Sequence, residues 1–344
     1  MKEMVARRIL HLLILGSMFV LWSGQLRAQT SPKIYRGSVG GKHVEMRLNF
    51  SGNKVTGTYF YDQFKQDIKL DGSFDSNGQL NLTEGPVKRP TGKFVCKKEK
   101  EIEIDLECDW SRPDGTRKLM AFLYEQGIRF KSDAKLVPTL TIDRKTKAEA
   151  SYPQFVATTM TPGMLSFNRL IEDRVKKAMK EFDAEEVEHL TLETNYNVLF
   201  ADEDKVSIEF EEYSDVGAAH PNTRLWTVNY NLKGDRELTL QDIFKPGDEQ
   251  NAAIAQFVAK DINRRAEQME IADARREKRQ PEKRSEPLME ADGLPEMDTW
   301  AFSEKGVAIY FDFPHVMAVF TRTIVPYEVL SRHIRPDAVV PPVK

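Results

Sequence analysis

The sequence predicts an α+β protein, with an all-β sandwich or barrel first and then an α+β domain that has an antiparallel sheet and packed helices. Three observations carry this. Across residues 34–130, short strand-like runs recur at ~8 to 12 residue spacing with Gly, Asn and Asp between them, as in sandwiches and barrels. After Thr161-Pro162-Gly163 the apolar spacing becomes helical. Alternating strands then return, without the regular strand-helix alternation of a doubly wound parallel sheet.

The chain opens with Lys2, Arg7 and Arg8, an apolar run over 9–22, and Leu26-Arg27-Ala28. This is the pattern of a secretory signal peptide cleaved near Ala28, and the run is shorter than the ~20 residues that a membrane span needs. No Cys lies near the cleavage site and no later stretch is apolar enough to cross a bilayer, so the expected product is periplasmic or extracellular with no transmembrane segment after cleavage. Removing the leader takes the formal charge from −3 to about −6. A mildly acidic chain argues against nucleic acid as the main partner and is compatible with a cationic protein.

A β-rich domain is expected over 31–135. Val44-Glu45-Met46-Arg47-Leu48 alternates, Ser51-Gly52-Asn53 turns, and 55–61 is rich in β-branched and aromatic residues. Cys96 and Cys108 are the two cysteines, on adjoining predicted strands, and in an oxidising compartment they pair as one local disulfide.

The α+β domain is expected over 136–335, followed by a tail at 336–344. Leu165, Leu170, Ile171, Val175, Met179 and Phe182 share a helical face, and Thr161 or Ser166 is the candidate cap. The strand at 206–213 alternates an apolar face with an acidic one, and 226–232 alternates again. A second helix is expected from about Glu249, running into the charged stretch 264–296, which reads as a solvated helix extension and a loop. A hairpin around Glu304-Lys305-Gly306 and a strand at 322–327 complete the pattern.

Gly217-Ala218-Ala219-His220-Pro221-Asn222, Tyr230-Asn231-Leu232, the run from Leu238 to Phe244 and Trp300-Ala301-Phe302-Ser303-Glu304-Lys305-Gly306 resemble the extracytoplasmic domain family of the anti-sigma factor RsiV. The same domain closes the peptidoglycan deacetylase PdaC. The core of the resemblance spans 213–335. The segment 136–212, with Ser151-Tyr152-Pro153-Gln154 and Asn168, is similar to the companion that precedes it. The β-rich domain resembles nothing assigned. The resemblance implies an accessory or binding role, lysozyme being what RsiV recognises. No polysaccharide deacetylase domain is expected beside the resemblance, and Phe311-Asp312-Phe313-Pro314-His315-Val316-Met317 stands where the family tends to carry a small-residue loop.

The residues themselves hold no complete catalytic set. His220, exposed in a His-Pro turn near Asp215, is the candidate catalyst for a cell-wall-modifying hydrolase; the competing reading is a turn fixed by His220 and Asn222. The histidines are scattered, so no metal site is expected, and neither Gly-Lys-Ser/Thr nor Gly-x-Ser-x-Gly occurs, so no cofactor is implied. The favoured expectation is a non-enzymatic exported binding or sensing module of the cell envelope, with a structural envelope protein as a further alternative. Its candidate binding residues are His220, Asn222, Trp226 and Tyr230, together with Glu209 and Glu211 on the acidic strand face, for lysozyme-like protein or cell-wall glycan.

Overall fold

The computed structural model describes residues 32–341 except 87, 98–104, 184–190, 216, 218–220, 298 and 339. The expected leader and His220 therefore lie outside the described residues.

Eight strands form a closed antiparallel barrel in simple sequence order: β1 (Lys33–Val39), β2 (Lys42–Ser51), β3 (Lys54–Tyr61), β4 (Ile68–Phe74), β5 (Leu80–Glu84), β6 (Gly92–Lys97), β7 (Leu106–Ser111) and β8 (Lys118–Glu125), with β8 returning to β1. Alternation explains the closure. Val44, Met46 and Leu48 point into the core with Tyr59, Leu82 and Phe94, while Glu45 and Arg47 point out. Closing the sheet on itself leaves no edge. Three glycines sit where neighbouring strands cross closely: a Cβ on Gly37, Gly57 or Gly72 would lie under 2 Å from a backbone oxygen of the next strand. Cys96 and Cys108 face each other across β6 and β7 and are disulfide-bonded, as the sequence predicts.

The remainder is layered, helix on sheet on sheet on helix. A six-stranded sheet has the order β14-β13-β12-β11-β10-β9, from β9 (Lys135–Asp143), β10 (Ala148–Val156), β11 (Thr191–Ala201), β12 (Lys205–Asp215), β13 (Asn222–Asn231) and β14 (Arg236–Glu237). It is antiparallel except where β10 meets β11, because the chain crosses back through helix α1 (Pro162–Asp183) between them. Thr161 caps α1: its hydroxyl accepts the Met164 N–H at 3.2 Å, and Pro162 follows where its missing N–H costs nothing. Of the predicted stripe, Ile171, Val175, Met179 and Phe182 pack on Tyr196, Val198, Ile208, Phe210, Val228 and Tyr230, joined by Phe167, which the predicted stripe did not include, whereas Leu165 is exposed.

The opposite face of β11–β13 carries a three-stranded sheet, β15 (Thr299–Phe302), β16 (Gly306–Tyr310) and β17 (Arg322–Pro326). Ala301 and Ala308 let the two sheets approach, with Leu199, Leu225 and Ile324 filling the gap. The outer face of this second sheet, Trp300, Phe302, Val307, Ile309 and Val325, packs on Ile254, Val258, Ile262 and Ala266 of helix α2 (Glu249–Glu277). The charged stretch after α2 is held onto the helix. Asn263 bonds the backbone of Leu288 and Met289, and Glu270 pairs with Arg279 and accepts the Glu282 N–H. No helix among the described residues is long and apolar enough to cross a membrane.

Candidate functional site

Along β12 the residues facing the second sheet are Ser207, Glu209 and Glu211, and their fates diverge. The Ser207 hydroxyl accepts the Phe302 N–H at 3.0 Å and donates to Asn229 Oδ1 at 2.7 Å. Asn229 and Thr227 each donate to the Trp300 carbonyl at 2.7 Å. Glu209 is buried. It accepts from the Tyr310 hydroxyl at 2.6 Å, Arg322 at 2.8 Å and Asn197 at 3.2 Å. Burial pushes its carboxyl up, but Arg322 and these hydrogen bonds more than offset that and hold it below the ordinary glutamate value. The expectation that Glu209 lies on a solvated acidic surface is corrected here. Alternation gives its face, but a second sheet covers that face.

Beyond Glu209 the covering sheet ends. Glu211 and Tyr213 are exposed on the same face of β12, and Asp215 follows with its carboxylate accepting the Gly217 N–H at 2.9 Å. Crowding of protein around the carboxyl and the nearby Glu209 charge raise the Glu211 pKa, and Arg322 opposes them only in part. The neighbouring Glu212 is also raised, by burial first and by Glu181, against Arg224. The end of this hairpin therefore carries two carboxylates whose ionised forms the fold disfavours.

The other expected binding residues separate. Asn222 is exposed at the start of β13, paired with Ser214 and so on the opposite face of the hairpin from Glu211 and Tyr213. Trp226 is half-buried on the α1 side of the sheet, stacked on Phe210 with ring centres 3.8 Å apart. Tyr230 is buried in the same core, with its hydroxyl donating to Asp235 at 2.7 Å. An aromatic platform shared by Trp226, Tyr230, Trp300, Phe302 and Tyr310 does not form. Trp226 and Tyr230 line the α1 core, Trp300 and Phe302 the α2 core, and Tyr310 the space between the sheets.

Sequence reasoning passed over a second buried cluster, where the barrel meets the six-stranded sheet. The parallel pairing of β10 with β11 stops at Ala150–Thr194, and the next residue on each strand, Ser151 and Asn195, turns to Arg36 of β1. The Arg36 guanidinium is 2.7 Å from Asp62 and 3.8 Å from Glu45, and lies 4.0 Å over the Tyr196 ring. The exposed edge of β11 is then taken by the linker after β8, where Gly127 and Arg129 exchange backbone hydrogen bonds with Val198 and Ala201. Burial raises both carboxyls. Arg36 and a 2.6 Å hydrogen bond from Ser151 bring Asp62 below the carboxylate range, whereas Glu45 stays raised despite Arg36 and Arg47. The Ser151 hydroxyl donates to the Asp62 carboxylate, and among the described residues no imidazole bonds it. Burial, then the Arg36 charge, depress the pKa of nearby His43, and its Nδ1 has no hydrogen-bond partner. Among the described residues no three of His, Cys, Asp and Glu stand together as metal ligands.

Residues 241–319, which include α2, β15 and β16, match the family model described as "Protein of unknown function (DUF3298)". The chain is also similar to the peptidoglycan-N-acetylmuramic acid deacetylase PdaC of Bacillus subtilis strain 168, 32% identical over 114 residues. That match takes in 32% of this chain and 24% of the relative, so the chain spans about a quarter of the length of the curated protein that it matches. Two solved structures are similar. A DUF3298 family protein from Pseudomonas aeruginosa PAO1 has a TM-score of 0.40 and 15% identity, over 61% of this chain and 96% of that one. A DUF3298 family member from Bacteroides fragilis NCTC 9343 has a TM-score of 0.37 and 13% identity, over 60% of this chain and 93% of that one. The resemblance read from the residues thus holds at the level of DUF3298 and of a weak likeness to PdaC. Over residues 241–319 the chain is similar to the DUF3298 family.

Proposed function

We propose that this chain is an exported, non-enzymatic binding module of the cell envelope and that the uncovered end of β12 receives a cationic protein, a lysozyme-like one first. One observation carries the reading: Glu211 and Tyr213 stand exposed where the covering sheet stops, while Glu209 on the same face is consumed inside the protein. A carboxylate that the fold disfavours as an anion gains from an incoming Lys or Arg, and an exposed tyrosine adds apolar contact beside it. The mildly acidic chain favours approach of a basic partner by steering. The likeness to a stretch of a peptidoglycan deacetylase supports a place at the cell wall, and the disulfide supports an oxidising compartment.

Calorimetric titration of the chain from Gln29 onward with a c-type lysozyme, at low and at physiological salt, tests this. Saturable binding that weakens with salt is expected. Glu211→Lys should weaken it about tenfold at low salt, since a like charge replaces an attractive one. No saturable heat, or equal affinity in Glu211→Lys, removes this surface from consideration. Saturation by soluble peptidoglycan fragments instead would keep the module and replace its partner.

A further inference from the structure

Eight strands give a barrel interior about wide enough to be filled by side chains or to hold one small ligand. At one end this barrel is filled and sealed. Glu84 lies there, accepting from Tyr59 at 2.8 Å, Trp110 at 2.7 Å and Thr91 at 2.6 Å. At the other end of β5, around Leu80, the described residues leave the interior unfilled. Tyr35, Phe50, Phe74, Leu80 and Leu106 line an open cavity of about 210 Å³, with Lys33, Asp105 and Glu125 at its rim.

The Phe50 and Phe74 rings stack at 6.2 Å and form an aromatic wall. Tyr35 is only 4% exposed, yet its hydroxyl makes no hydrogen bond among the described residues. Its oxygen is not among the fully buried polar atoms left without a partner, so the hydroxyl opens to water in the cavity, and a ligand oxygen can take that water's place. Burial, then the charges of Glu125 and Asp105, raise its pKa and keep it protonated. At the rim Glu125 pairs with Lys33 at 2.7 Å, and Asp105 accepts the Glu125 N–H at 2.6 Å, which leaves one negative charge in excess. The size is selective. An apolar cavity of about 150 Å³ takes benzene and drug-sized pockets begin near 300 Å³, so this one suits a single substituted ring.

We propose that the open end of the barrel binds a small single-ring aromatic molecule, neutral or monocationic, whose ring packs on Phe50 and Phe74 and whose oxygen accepts the Tyr35 hydroxyl. The site is independent of the β12 surface. Calorimetric titration of the chain from Gln29 with p-cresol, tyramine and 4-hydroxybenzoate tests it. The first two should bind saturably and compete with each other, and the anionic acid should bind at least tenfold more weakly. Tyr35→Phe should weaken p-cresol three- to tenfold, the worth of one net hydrogen bond. Leu106→Trp should abolish binding by filling the space, with a circular dichroism spectrum showing that the barrel is folded; if it does not fold, Tyr35→Phe still decides. Glu211→Lys should change nothing. Absence of saturation with both p-cresol and tyramine overturns the proposal, as does binding that Tyr35→Phe leaves unchanged. Equal affinity for all three probes overturns the charge selection.

Discussion

The six-stranded sheet is joined to the barrel through a buried cation, Arg36, and to the three-stranded sheet through a buried anion, Glu209. The two junctions differ in what surrounds the charge. Around Glu209 the sheets also share an apolar seam, Ala301, Ala308 and Tyr310 with Leu199, Leu225 and Ile324. Around Arg36 the contacts are mostly polar, Asp62, Glu45, Ser151, Asn195 and the Gln126 side chain, which accepts the Val198 N–H, with the Tyr196 ring as the apolar one. Replacing a buried ion pair with packed apolar residues is often neutral in stability, whereas removing one member leaves an uncompensated charge. The barrel junction, with less apolar contact behind it, therefore depends more on its charge than the sheet junction does.

The largest break in this comparison is Arg36→Met. It strands the Asp62 carboxylate, whose side chain is 3% exposed, while Glu45 keeps Arg47 at 2.6 Å, and should cost about 3 to 5 kcal/mol. Because the lost contacts are those between barrel and sheet, urea unfolding should split into two steps, with Trp110 reporting the barrel and Trp226 and Trp300 the rest. One coincident transition at the unaltered midpoint would contradict the dependence on Arg36.

Glu209→Gln should do less. The amide keeps the shape and can still accept from Tyr310, but loses the charge opposite Arg322, so about 2 kcal/mol is expected in urea unfolding at neutral pH. Since the folded pKa of Glu209 is depressed, its contribution is present above the ordinary glutamate range and is lost as pH falls through the folded value. The gap between the two proteins should therefore close in acid, and a gap that persists there would mean that packing, not charge, is what the substitution changed.

Much of this architecture was legible. Strand alternation from Val44 to Leu48 and the short punctuated strands gave the choice between sandwich and barrel, and the apolar spacing through Ile171, Val175, Met179 and Phe182 gave α1, although it included the exposed Leu165 and left out the buried Phe167. What alternation cannot supply is the identity of the layer over a polar face. Arg36 and Glu45 point out of the barrel, as polar residues of a barrel should, and only the tertiary docking of Ser151 and Asn195 buries them. Glu209 was assigned the right face and the wrong surroundings for the same reason. The aromatic residues show the converse limit, since period two separates Trp300 and Phe302 from Tyr310 without saying that each lies in a different core. The split of β10 from β11 after Ala150 has no sequence signal, because it exists to admit a side chain from 115 residues away.

The smallest expected effect makes the sharpest contrast, because it concerns two carboxylates two residues apart on one strand. Glu209 has a depressed pKa and Glu211 a raised one, so neutralising them should move stability in opposite directions. A raised folded pKa means that the Glu211 contribution is favourable below the unfolded pKa and is lost as pH rises through the folded value. At neutral pH the ionised carboxylate is then a burden on the free protein, and Glu211→Gln should raise the melting temperature slightly, with the difference vanishing in acid. Solvent reaches this residue, so screening keeps the effect small. If a cationic partner relieves the same burden, Glu211→Gln should melt higher alone and bind lysozyme more weakly. A variant that melts higher and binds equally well would place any partner elsewhere on the molecule.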